Sequence, residues 1–180
     1  MAQEKHLSKS ARTPSMEAND NDLAALRRAV LDEPRNGERR YLLGAELAQR
    51  RDYEGAVLEM SAALALNPLL HVARLQLGLL HLSMAQPHHA LAVLGPLEEL
   101  PDDAALKHFK RGLEALIHDD FAACLDALQR GIEGNRDNAA LNRDMQLIID
   151  RVKPLTQSGG GQSDASAVRT DFSLYGFTKH

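Results

Sequence analysis

The residues of this chain able to do chemistry are scattered rather than clustered. There are eight histidines: His6, His71, His81, His88, His89, His108, His118 and His180. A zinc site needs three or four ligands that converge, usually marked by two histidines one helical turn apart or by paired cysteines. His88 and His89 are adjacent, so on a helix they point apart, and no histidine has a cysteine at ligand spacing. The single cysteine, Cys124, has no partner for an internal disulfide. It lies among small residues and reads as an inert packed thiol rather than a nucleophile. The acidic pairs Asp102–Asp103 and Asp119–Asp120 sit in turn-like segments, where carboxylates cap helices. Arg50, Arg51, Asp52 and Glu54 read as another solvated turn. Gly159–Gly161 has no following helix or lysine, so it is no phosphate loop. The expectation is a protein without metal, cofactor or catalytic centre.

The composition narrows the class further. The chain has 180 residues, 44% of them hydrophobic but only 4% aromatic, with no tryptophan. Alanine and leucine dominate, which favours helices packed through aliphatic side chains over a β-sandwich. The net charge is -4 and no basic run appears, which argues against gripping a nucleic-acid backbone. The N-terminus is polar and lacks the apolar stretch of a secretory signal. Leu75–Leu82 is interrupted by Gln, Gly and His, far from the ~20 apolar residues of a membrane span. The expected location is cytoplasmic.

What organises the chain is a period. Gly44, Gly78 and Gly112 are evenly spaced, and the step from one to the next recurs elsewhere. Ala56, Ala90 and Cys124 share a second phase at the same step, and all are small; Ala63, Leu97 and Gly131 share a third. Pro34 and Pro68 share a fourth, which Pro101 misses by one position. Several phases at one period are the mark of a repeat array.

These residues resemble the tetratricopeptide repeat family, whose unit has this same period and is a helix–turn–helix with a Trp-Leu-Gly-Tyr, Ala-Phe-Ala, Pro pattern. Repeat one, residues 37–70, carries Leu43-Gly44, Leu47, Tyr53, Ala56, Ala63 and Pro68. Repeat two, 71–104, carries Leu77-Gly78, Ala90 and Leu94. Repeat three, 105–138, carries Gly112, Ala115, Phe121 and Leu128, but has Arg111 for the Leu and Arg136 for the Pro. No repeat has the Trp; His108 takes its place in repeat three, and His81 stands at a core-facing Tyr position.

The resemblance implies an all-α solenoid of antiparallel helix pairs. An amphipathic stretch at Asp22–Asp32, ended by Pro34, reads as a half repeat in front. Asn138–Val152 places Leu141, Met145, Ile148, Ile149 and Val152 on one face and reads as a capping helix stopped by Pro154. The expected layout is a disordered segment at 1–20, the repeat domain at 21–153 and a flexible tail at 154–180.

In this family the first helix of each repeat lines the concave surface. That implies a binding groove of Tyr41, Leu42 and Ala45 from repeat one. Leu75, Gln76, Leu79 and Leu82 come from repeat two, and Phe109, Lys110 and Leu113 from repeat three. The lining is apolar and suits a hydrophobic peptide or amphipathic helix. A family variant that grips a chaperone's terminal carboxylate needs several converging donors. Here those positions hold Tyr41, Ala45, Gln76, Leu106 and Lys110, of which only Lys110 fits. The tail adds a second feature: Phe172, Leu174, Tyr175 and Phe177 follow a Gly-rich linker and read as an adhesive motif, for another protein or for this chain's own groove. The functional expectation is a protein-binding scaffold or adaptor. The alternatives are a dedicated chaperone of an exported or membrane-associated client, or an accessory subunit of an enzyme.

Overall fold

The computed structural model describes residues 14–157. Among these residues there are eight α-helices, one 3-10 segment and no strand. The helices are α1 (Pro14–Asp32), α2 (Gly37–Gln49), α3 (Tyr53–Leu66), α4 (His71–Ser83), α5 (Pro87–Leu94), α6 (Ala105–Ile117), α7 (Phe121–Gly134) and α8 (Ala139–Gln157). The pairs α2–α3, α4–α5 and α6–α7 pack as hairpins, with α1 before and α8 after them. The expected all-α solenoid, with a half repeat in front and a terminal helix behind, is what the chain forms.

The hairpins turn the same way three times. After α2, Asp52 N–H bonds to Leu47 O at 2.9 Å and Arg51 N–H to Ala48 O at 3.0 Å. The same two bonds recur one period on, from Gln86 and Ala85, and again from Asp120 and Asp119. This is the double bond of a helix C-terminus closed by one left-handed residue. Arg51, Ala85 and Asp119 supply it, with φ of 63°, 56° and 59°. The next residue starts the second helix. Asp52 accepts from Gly55 N–H, and Asp120 from Ala123 N–H, both at 3.0 Å. Of these two, Asp120 was read from sequence as a turn cap, and Asp52 as part of a solvated turn.

The periodic glycines sit at the crossings. A Cβ on Gly44 would lie 2.7 Å from Met60 Cγ, on Gly78 2.6 Å from Leu94 Cγ, and on Gly112 2.5 Å from Leu128 Cδ2. No side chain fits there, so the hairpin closes only around glycine. Ala56, Ala90 and Cys124 are fully buried beside these crossings.

Three boundaries differ from the sequence reading. α1 begins at Pro14, so residues 14–20 are helical rather than disordered; a proline is tolerated in a first turn, where its N–H has no partner anyway. α8 runs through Pro154 to Gln157 rather than stopping there. A proline this near the end removes one backbone bond and leaves one further turn, in which Thr156 Oγ1 donates to Lys153 O at 2.8 Å. The second helix of repeat two breaks at Gly95. Pro96 has no N–H for Ala92 and crowds its carbonyl, so the chain continues as the 3-10 segment Gly95–Glu99 and buries Leu97.

That segment carries Glu98 onto α6. Glu98 meets Arg111 Nη2 at 2.5 Å and Lys110 Nζ at 3.0 Å, while Lys107 pairs with Asp102 at 2.8 Å and Lys110 with Glu114 at 2.6 Å. The hydrogen bond from Arg111, then that from Lys110, holds the Glu98 carboxyl down at about 2.

Candidate functional site

The ten residues expected to line a groove divide sharply. Leu75, Phe109 and Leu113 are fully buried, and Gln76, Leu79, Leu82 and Lys110 nearly so. Leu75, Leu79, Leu82, Phe109 and Leu113 belong to one core cluster with Leu141, Met145, Ile148, Ile149 and Val152 of α8. An open trough across all three repeats is therefore corrected. In repeats two and three these side chains are interior, part of one core that runs on to the apolar face of α8. Lys110 is committed to Glu98 and Glu114, and offers no free cation to a carboxylate. The tail motif Phe172, Leu174, Tyr175 and Phe177 lies outside the described residues.

Repeat one is different. Tyr41 and Ala45 are half-buried, and Leu42 is 50% exposed. The residues at the register of Leu42 in the next two repeats, Gln76 and Lys110, are 1% and 7% exposed. The reason is position in the array. α4 and α6 each have a first helix of another repeat before them, whereas among the described residues α2 has only α1. The result is a cleft of about 560 Å³ between α1 and α2. Asp22, Ala25, Leu26 and Ala29 form one wall; Tyr41, Leu42, Ala45, Glu46 and Gln49 form the other. Of the residues lining this cleft, the sequence reading expected Tyr41, Leu42 and Ala45 in a groove and named none from α1. The signal was present: Asp22, Leu26 and Ala29 stand one full period before Ala56, Met60 and Ala63.

The walls of the cleft are mostly apolar. Glu46 is held by Arg50 Nε at 2.9 Å. Asp22 is exposed at the rim. Burial pushes the Tyr41 phenol up, so it stays a neutral hydroxyl. Apolar walls with one acid at the mouth can hold a helix and orient it by charge.

The other chemical candidates are structural. His81 is buried; its Nδ1 donates to Gln86 Oε1 at 2.8 Å and its ring stacks on His89 at 5.4 Å. Burial, with the Asp120 charge added, pushes the Cys124 thiol up to about 12, so it stays protonated. Among the described residues no group of three or more His, Cys, Asp or Glu is placed to hold a metal ion. None of the described helices is long and apolar enough to cross a membrane.

The stacked hairpins define a tetratricopeptide-like helical array. Similar solved structures agree. Residues 41 to the end of MamA from Desulfovibrio magneticus RS-1 match with a TM-score of 0.54 and 20% identity, over 82% of this chain and 90% of that one. The MamA RS-1 ArsTM double mutant matches with a TM-score of 0.54 and 19% identity, over 80% and 90%. These likenesses concern the fold. No family model matches the sequence, and no curated protein matches it.

Proposed function

We propose that this protein is a non-catalytic interaction scaffold that binds a segment of another protein at the α1–α2 end of its array. The observation that carries the reading is the exposure of Leu42 inside an apolar cleft, at a register buried in the other two repeats. A rigid, preformed surface of this kind loses little entropy on binding, so modest area can still hold a partner. The test is co-purification from the native host with the wild-type chain and with Leu42→Asp. A partner retained by the first and lost from the second supports the reading. A partner set identical for both contradicts it.

A further inference from the structure

We propose that the α1–α2 cleft is the vacant berth of a repeat's first helix, filled by an amphipathic helix of a partner protein that is built like α2. That helix carries Gly, Ala or Ser at its centre, leucines one residue before and three residues after it, and a lysine or arginine four residues after it. The inference rests on the interaction reading above and adds the register and chemistry of the ligand.

The register comes from the array itself. In repeat one, Gly44 of α2 docks against Ala56 and Met60 of α3, and Gly37 docks against the Ala63 carbonyl. Counting back one period from Ala56, Met60 and Ala63 gives Asp22, Leu26 and Ala29, which form the α1 wall of the cleft. α1 thus presents a second-helix surface on which, among the described residues, no first helix lies. The flanking leucines follow from Leu43 and Leu47, which are 4% and 5% exposed around Gly44. The basic residue follows from Asp22. It stands where the other repeats have Ala56, Ala90 and Cys124, all fully buried, so a docked helix would cover its carboxylate. A buried carboxylate needs a cation, and an antiparallel helix brings its next turn, the Ala48 position of α2, back toward that point.

Segments of this chain do not supply the helix. By register it would span residues 3–15, with a turn before residue 19, but α1 is already helical from Pro14. Residues 1–13 hold one leucine, Leu7. The tail motif covers six residues, Phe172–Phe177, and includes Gly176, against the 13 residues of α2. Among the described residues a second copy offers no free helix of this kind either: the Leu-Gly pairs of α2 and α4 are buried in their own hairpins.

The test uses the full chain and a labelled, end-blocked peptide of its own residues 37–50 carrying Ala48→Lys. The expected result is saturable one-to-one binding with a dissociation constant on the order of 10 µM or tighter. Gly44→Leu in the peptide, and separately Ala25→Trp in the protein, should each weaken it about tenfold or more. Ala25 is exposed in the cleft, so its replacement leaves the fold intact, as circular dichroism would show. No binding, or equal binding by the Gly44→Leu peptide, or an unchanged affinity for Ala25→Trp, overturns the proposal. A chain that is itself a dimer dissociated by the peptide also overturns it, because a second copy then fills the berth. If the peptide fails while Leu42→Asp still loses the natural partner, the helix register is wrong and the scaffold reading stands. If Leu42→Asp also retains the partner, both fall.

Discussion

Replacing Gly78 with alanine puts a number on the helix crossings. In a solvent-facing helix this change stabilises by about 1 kcal/mol, because glycine loses the most chain entropy. Here the new Cβ arrives 2.6 Å from both Cγ and Cδ2 of Leu94, whereas carbon atoms rest about 3.5–4.0 Å apart. Leu94 is 1% exposed and has nowhere to retreat. Overpacking of this kind costs about 1–3 kcal/mol. The net change for Gly78→Ala is a loss on the order of 1 kcal/mol, or a melting point lower by roughly 4 °C for a domain this size. Gly134→Ala is the internal control. Its Cβ would meet Ala105 Cβ and Asp103 O, both at 3.8 Å, which is ordinary contact. That variant should gain a few tenths up to about 1 kcal/mol. Urea titration of both variants, with the slope checked for constancy, reads the difference. If Gly78→Ala is as stable as Gly134→Ala, the tight crossing is wrong.

Ala85 holds a left-handed φ of 56° at an exposed helix terminus. Ala85→Gly should therefore raise stability by about 1 kcal/mol in urea titration. Glu98 contributes through its lowered carboxyl, about 2 against an ordinary 4.5. A depressed carboxylate stabilises above its unfolded value and loses that effect as pH falls through its folded one. The melting-point gap between wild type and Glu98→Gln should stay constant above pH ~5 and close between about 4.5 and 2; a gap independent of pH refutes the pairing with Arg111 and Lys110. Cys124, buried and pushed up to about 12, should resist iodoacetamide in the native chain at neutral pH and react fully in denaturant. Rapid native alkylation contradicts its burial.

The repeat was legible because its causes are local. Gly44, Gly78 and Gly112 mark crossings that admit no side chain, and Ala56, Ala90 and Cys124 follow from the same close approach. The capping role of Asp120 was equally visible, since a carboxylate reaches its own helix within three residues, whereas Asp52, read as part of a solvated turn, caps α3 in the same way. What the sequence hid depends on partners distant along the chain. Whether Leu75 or Leu113 faces a ligand or a core is decided by the helices that pack around it, not by the residue. The exposure of Leu42 follows from there being, among the described residues, no first helix of another repeat before α2, which no property of Leu42 announces. Pro154 inside α8 shows the limit of breaker rules: one lost bond near an end is tolerated when the buried face from Leu141 to Val152 holds the rest. The break at Gly95 was marked by Pro96, but its effect, delivering Glu98 to Arg111, needed the fold.

Photo-crosslinking from single positions tests the binding end of the array most directly. A photoreactive phenylalanine analogue is placed at Leu42 in the cleft, at Leu58 on α3 and at Leu147 on α8, all exposed positions. After irradiation in the native host, position 42 should yield a discrete adduct with one partner, and positions 58 and 147 should not. Equal adducts from all three positions, or an adduct from Leu58 or Leu147 without one from Leu42, would contradict a partner seated between α1 and α2.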